Sequence, residues 1–301
     1  MKEIIFLNGK FILPEQAKVS VLSPGFLYGW GLFETMRSYH DKIIYFDEHL
    51  IRIKDSSKLI GMKFTPLEIR RQRPLNAPPL AGLSLTGFSY STSKLKQIIK
   101  QAVKLSGFPD AYVRLTLWKS DSGIDTLIIA RKYRPYPKAI YKHGFCAGIS
   151  SFRQNEDSFL TQLKTMNYLL YQLSYLQAQD KRFDESIILN TRGYISEASR
   201  SNIFFIQDNQ LFTPCLECGC LRGITRKVIF DLAKKYSIPL NEGKFRPDDL
   251  YNSDEAFLTN SLMGVMPLTS IENRIIGKGE SGRLTRFFIR KYNSLLEDTV
   301  Q

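Results

Sequence analysis

The strongest constraint on the fold is a polar run, Phe152-Arg153-Gln154-Asn155-Glu156-Asp157-Ser158, set between two long stretches that each alternate strand-like and helix-like segments. A chain of 301 residues is long enough for two hydrophobic cores, and a polar run between two patterned halves is where a connection is expected. The expected division is a smaller first domain over 1–149, a linker over 150–163 and a larger C-terminal domain over 164–301.

In the first half, strand-like runs at 3–7, 32–38, 111–118 and 126–131 accompany helical patterns at 46–60 and 94–105, which predicts an α+β domain. Between those helices, Arg71 to Ser91 contains no acid and is rich in Pro, Gly, Leu and Ser. It reads as an inserted loop over about 71–93, with a lid over a site as the functional alternative. In the second half a helix is expected over 167–180, with strands over 185–190, 203–207 and 256–259. Gly223-Ile224-Thr225-Arg226 opens a further helix whose apolar Val228, Ile229, Leu232 and Ala233 recur at helical spacing.

Composition narrows the function classes. Hydrophobic residues at 43% and charged residues at 24% fit a folded globular protein and argue against general disorder. The opening residues, Met1-Lys2-Glu3-Ile4-Ile5-Phe6-Leu7-Asn8, hold too short an apolar run for a signal peptide, and no segment reaches membrane-spanning length. A cytoplasmic protein with no membrane partner is expected. The net charge of +13 invites a nucleic-acid reading, but Lys94, Lys96, Lys100, Lys104, Lys234 and Lys235 are scattered among acids, which favours a solvated surface over a nucleic-acid partner. Such a charge can still draw in an anionic substrate. Cys215, Cys218 and Cys220 have metal-like local spacing, yet a closed zinc site needs four ligands and Cys146 and His143 are remote, so these read as incidental thiols and no metal is expected.

The chemistry is carried by a lysine and a glutamate thirty-three residues apart, Lys164 in Leu163-Lys164-Thr165-Met166-Asn167-Tyr168 and Glu197 in Tyr194-Ile195-Ser196-Glu197-Ala198-Ser199-Arg200-Ser201-Asn202. A lysine amine condenses with an aldehyde cofactor, and a fixed carboxylate keeps the cofactor's pyridine nitrogen protonated so that the ring can withdraw electrons. For a single Lys/Glu pair the bland reading, a solvated lysine and an unrelated loop acid, would prevail. Further motifs change that balance: Phe6-Leu7-Asn8-Gly9-Lys10 near the start and Phe257-Leu258-Thr259-Asn260-Ser261-Leu262-Met263-Gly264-Val265-Met266-Pro267 near the end. In this order, over nearly the whole chain, the motifs resemble the class IV aminotransferases, the fold type IV pyridoxal-phosphate enzymes. That group includes branched-chain aminotransferases, D-amino-acid aminotransferases and 4-amino-4-deoxychorismate lyases.

The resemblance implies a two-domain, D-amino-acid aminotransferase-like fold, a pyridoxal 5'-phosphate cofactor, a site between the domains and a homodimer. It also implies roles by position. Lys164 would be the catalytic lysine and Glu197 the carboxylate at the ring nitrogen. Arg52, in Phe46-Asp47-Glu48-His49-Leu50-Ile51-Arg52, would grip the phosphate through two parallel hydrogen bonds. Ile224 and Thr225 at a helix start, and Asn260 with Ser261 at a strand end, would supply further phosphate donors. Tyr168 would approach the cofactor's phenolic oxygen, while His49 reads as a packed helix residue. Phe33, Tyr112 and Arg114 would meet the substrate, the last two facing one side of a strand together.

The resemblance divides on the reaction. Lys119-Ser120-Asp121-Ser122-Gly123 stands where D-amino-acid aminotransferases carry an Arg-x-His element, which disfavours that activity. Segments 29–37, 201–205, 219–223 and 260–267 lean toward the lyase, and the Gly-Glu-Asn of branched-chain enzymes near Glu197 is missing; Trp30, where lyases commonly carry an acid, points the other way. The leading expectation is therefore a 4-amino-4-deoxychorismate lyase releasing 4-aminobenzoate and pyruvate. The alternative is a branched-chain or related amino-acid aminotransferase using 2-oxoglutarate and glutamate. A non-catalytic basic binding protein is the remote third reading.

Overall fold

A computed structural model describes residues 2–62, 90–121 and 123–298. Most of the inserted loop expected over 71–93 lies outside the described residues. Two compact units make up the chain: Met1–Tyr133 with Lys164–Asn167, and Arg134–Leu163 with Tyr168–Gln301.

The first unit runs β1 (Ile4–Leu7), β2 (Lys10–Ile12), α1 (Pro24–Tyr28), β3 (Gly31–Tyr39), β4 (Lys42–Ile43), α2 (Phe46–Leu59), α3 (Thr92–Ser106), β5 (Ala111–Ser120) and β6 (Gly123–Lys132). Its six-stranded sheet has the order β2-β1-β6-β5-β3-β4, and every pairing is antiparallel. Alternation along β5 explains its two faces. Ala111, Val113, Leu115 and Leu117 are fully buried on the helix-covered side, whereas Tyr112 and Arg114 are half-buried on the other. The long helices follow from local chemistry. Ser91 caps α3 by accepting from the Lys94 N–H, and Gly107 ends it in the left-handed conformation (φ 71). Leu95, Ile98, Ile99, Ala102 and Val103 form its buried stripe.

The second unit runs α4 (Lys138–His143), β7 (Phe145–Gln154), α5 (Leu169–Asp180), β8 (Glu185–Asn190), β9 (Ile195–Ala198), β10 (Asn202–Gln207), β11 (Gln210–Pro214), α6 (Ile224–Lys235), β12 (Leu240–Gly243), α7 (Pro247–Tyr251), β13 (Glu255–Asn260), β14 (Gly264–Ile271), β15 (Arg274–Ile275) and α8 (Arg283–Asp298). Its nine-stranded sheet has the order β12-β11-β10-β13-β14-β7-β8-β9, with β15 on β14. The core joins Phe145, Ile187, Leu189, Ile203, Phe205, Leu258 and Met266, and on its other side Phe204, Phe257 and Phe288 pack ring to ring.

The domain boundary differs from the sequence expectation. Residues 150–154 are not linker but the end of β7, whose start pairs in parallel with β14 at Phe145–Ala147 and whose end pairs in parallel with β8, Arg153 with Leu189 and Gln154 with Asn190. A segment paired along a strand belongs to its sheet whatever its polarity, and the second unit begins at Arg134. Lys164–Asn167, expected to open the second domain, instead packs into the first unit. Among the described residues, no helix is long and apolar enough to cross a membrane.

Candidate active site

Lys164 is placed by backbone pairing. Its carbonyl accepts from the Phe33 N–H (2.9 Å), and the Met166 N–H donates to the Gly31 carbonyl (2.9 Å), so residues 164–166 line the edge of β3 opposite β5. The Lys164 Nζ lies 4.7 Å from the Phe33 ring centroid, and the Arg114 guanidinium stacks on the same ring at 3.8 Å. Arg114 also donates from Nε to the Thr116 hydroxyl (3.2 Å). Phe33, Tyr112 and Arg114 thus share one face of the sheet, as the alternation predicts, because Phe33 is in register with Thr116 and Arg37 with Tyr112.

Arg52 behaves differently from the expectation. The two parallel hydrogen bonds assigned to a phosphate are made to Glu34: Arg52 Nε to Oε1 at 2.7 Å and Nη2 to Oε2 at 2.6 Å. His49 Nδ1 meets the same Oε2 at 2.7 Å. Glu34 is fully buried on the helix-facing side of β3, and a buried carboxylate requires paired, hydrogen-bonded partners. Burial alone would raise its pKa, but the charge and hydrogen bonds of Arg52, with those of His49, hold it at about 2. Burial lowers His49, against the pull of Glu34. Because an ionised carboxylate only accepts, the neutral imidazole donates from Nδ1.

Glu34 and the role of His49 escaped sequence reasoning. Their signal was an acid at an otherwise apolar core position of β3, facing a helix with His and Arg three residues apart.

In the second unit Glu197 is buried on β9 and met by three neutral donors. Tyr171 Oη donates to Oε1 (3.1 Å), while Asn202 Nδ2 and the Leu221 N–H donate to Oε2 (both 3.1 Å). Burial and the Glu197 charge push Tyr171 well above its usual range, so it stays a donor. Tyr168 stacks on Tyr171 (4.7 Å between centroids) and donates to the Ser199 carbonyl at 2.9 Å.

The start of α6 suits an anion. Gly223 is its N-cap and provides no side-chain cap, so the first-turn N–H groups of Ile224, Thr225 and Arg226 lack intrahelical acceptors. The Thr225 hydroxyl is buried with no hydrogen-bond partner, and so is that of Thr259, a residue not singled out from the sequence. A side chain at Gly223 would run into Asn202 Oδ1, at 1.9 Å, so only glycine lets the helix start approach the residue that holds Glu197. Asn260 is occupied otherwise. Its Oδ1 accepts from the N–H groups of Leu262 and Met263 (both 2.9 Å), and its Nδ2 donates to the Arg200 carbonyl (3.1 Å), closing the turn between β13 and β14 and leaving Ser261 as the polar residue beside it.

Cys215 and Cys218 lie 3.7 Å apart with Cys220 turned to the Pro214 carbonyl, and among the described residues no cluster of potential ligands could hold a metal ion.

A lysine on a sheet edge, a buried carboxylate with neutral donors and a helix start with an orphaned hydroxyl are the parts a phosphorylated aldehyde cofactor needs. Comparison with known proteins gives the class: the amino-transferase class IV family matches residues 31–271, and the chain belongs to that family. It is a pyridoxal 5'-phosphate-dependent enzyme. A Methanocaldococcus jannaschii protein provisionally assigned as a branched-chain-amino-acid aminotransferase is 29% identical, over 97% of this chain and 96% of its own. The branched-chain amino acid aminotransferase from T.th., solved with pyridoxamine 5'-phosphate, is 25% identical with a TM-score of 0.84, covering 97% of this chain and 93% of that one. A Legionella pneumophila structure provisionally assigned as a 4-amino-4-deoxychorismate lyase shares the fold at 22% identity, with a TM-score of 0.78 over 95% and 97% of the two chains.

Proposed function

We propose that this enzyme is an aminotransferase for branched-chain or related amino acids, with 2-oxoglutarate and glutamate as the second substrate pair. The observation that carries this reading is the end-to-end likeness to branched-chain aminotransferases, which outweighs the lean of individual segments toward the lyase.

When bound, the cofactor supplies an electron-withdrawing ring on which the substrate amine is activated. Lys164 would hold it, and its amine would be the base that moves the proton of the substrate Cα. Glu197 keeps a proton on the ring nitrogen, and Tyr171, Asn202 and the Leu221 N–H hold its carboxylate in one orientation. Tyr168 orients the ring. The N–H groups of Ile224 and Thr225, the hydroxyls of Thr225 and Ser261 and the Arg52 guanidinium would bind the phosphate, with Asn260 shaping the turn that presents Ser261. Arg114, steadied on Phe33 beside Tyr112, takes a substrate carboxylate. Two copies assemble, supported by the exposed apolar residues Val19, Val21, Leu22, Phe26, Leu27 and Tyr28 in one short stretch. A monomer in sedimentation analysis would remove that assembly.

The lyase remains the second reading because of segments 29–37, 201–205, 219–223 and 260–267. A paired assay on cofactor-loaded protein separates the two: keto-acid formation from leucine with 2-oxoglutarate, and 4-aminobenzoate release from aminodeoxychorismate. Transamination without 4-aminobenzoate is expected. Release of 4-aminobenzoate alone would overturn the aminotransferase and turn Arg114 into a ligand for the ring acid.

A further inference from the structure

The Glu197 carboxylate ends a hydrogen-bond chain that starts on another strand. Gln154, the last residue of β7, donates from Nε2 to the Tyr171 hydroxyl at 2.8 Å, and Tyr171, in the first turn of α5, donates to Glu197 Oε1 at 3.1 Å. A phenol has one proton. Because the Gln154 amide brings its own, the Tyr171 proton is left for Glu197, and the chain has a single direction. Its first member is held firmly. Gln154 is buried, pairs with Asn190 in the sheet and accepts from the Thr191 N–H at 3.1 Å. A side chain at Gly219, where φ is +88, would come within 3.3 Å of the Gln154 Cγ, so the loop that carries Leu221 to Glu197 also leaves room for this amide.

The two oxygens of Glu197 are not equivalent. Oε2 accepts from Asn202 Nδ2 and from the Leu221 N–H, which matches the two lone pairs of a carboxylate oxygen, whereas Tyr171 reaches Oε1. A hydrogen bond donated to a carboxylate favours its charged form and so lowers its pull on any other proton. Hydrogen bonds in a chain polarise one another, and a phenol that accepts from an amide is the stronger donor for it. The plane of that phenol is set by Tyr168, which stacks on Tyr171 with 19° between the rings.

We infer that Gln154 and Tyr171 are positioning residues for the proton on the cofactor's ring nitrogen: Gln154 turns the phenol toward Glu197, and the phenol, sharing Oε1 with the ring N–H, keeps that proton on the nitrogen rather than on the carboxylate. The inference rests on the proposed role of Glu197 at the ring nitrogen. Both residues act through Glu197, so they govern how strongly the ring withdraws electrons and not which amino acid binds.

The test is the nitrogen-15 chemical shift of ring-labelled pyridoxal 5'-phosphate bound to the full chain, which reports directly whether the nitrogen is protonated. Wild-type protein at neutral pH is expected to give the protonated position. Tyr171→Phe keeps the ring that stacks on Tyr168 and removes only the donor. Its resonance should move toward the neutral position, with kcat for transamination reduced by about tenfold, as for the loss of a hydrogen bond to a charged group, and KM almost unchanged. Gln154→Met deprives the phenol of its own donor and should shift the resonance in the same sense by less. Tyr175→Phe removes a phenol one turn further along α5, whose oxygen accepts from Gln179 at 2.6 Å, and should leave the resonance in place. An unmoved resonance in Tyr171→Phe, or in Gln154→Met should Tyr171→Phe fail to fold, would overturn the inference and leave Glu197 in its proposed role. An unprotonated nitrogen in the wild type would overturn that role as well.

Discussion

The two units handle charge in opposite ways. In the first, Glu34 is driven toward its ionised form by Arg52 and His49, and cations crowd one ring, Phe33. Around Glu197 in the second, titratable neighbours are driven toward their neutral forms: burial and the Glu197 charge raise Tyr171 and Cys220. Glu34 is compensated by a guanidinium, whereas a phenol, an amide and a backbone N–H are among the groups that hold Glu197. The same residue type is therefore a structural ion pair in one unit and the proposed partner of the cofactor ring in the other.

The sharpest test of the first unit is Lys164→Ala, expected to abolish turnover and the visible absorbance of covalently bound cofactor. Appreciable turnover in that variant would show that the base is elsewhere. Next comes Glu34→Gln, which strands a buried guanidinium and should destabilise the protein by about 3 to 5 kcal/mol in denaturant titration. Its pH signature is specific. A pKa lowered from 4.5 to about 2 contributes stability above pH 4.5 that is lost as pH falls toward 2, about 3 kcal/mol in all. His49, also lowered, adds to the loss below its ordinary 6.5, and the Glu34 portion should vanish in the variant.

Thr225→Val tests the second unit with the opposite sign. If the orphaned hydroxyl serves a phosphate, cofactor affinity should drop by about 10- to 100-fold, while the cofactor-free protein becomes no less stable, having lost an unsatisfied buried group. A clear loss of cofactor-free stability would mean that the hydroxyl has a structural partner. The smallest effect concerns thiols. Cys218 and Cys220 should resist alkylation of native protein at neutral pH, because raised thiols are poor nucleophiles. Rapid labelling of either, read by mass spectrometry, would contradict the neutral character assigned to that surrounding.

Periodicity exposed what is local. The pattern at 46–60 is the helix Phe46–Leu59, and the run 185–190 is β8 residue for residue. It failed where distant pairing decides. The polar tail of Phe145–Gln154 looks like linker because its side chains reach solvent, yet its backbone pairs with β8 at Leu189 and Asn190, beyond an intervening helix. Lys164 was legible as chemistry but not as part of the first unit, since two backbone hydrogen bonds to β3 put it there. Arg52 was legible as a gripping guanidinium, but its partner could not be identified without knowing that Glu34 faces α2.

The pairing of residues 164–166 with Gly31–Phe33 also sets an order of assembly. Nearly half of the chain separates the two partners, so closing them costs loop entropy that local helices do not face. During synthesis the first unit can form its helices and most of its sheet while the Phe33 N–H and the Gly31 carbonyl stay uncovered, an edge open to pairing with another nascent chain. The segment that completes this edge also carries Lys164, the proposed catalytic lysine, so on that reading one late pairing step both covers the edge and installs the amine.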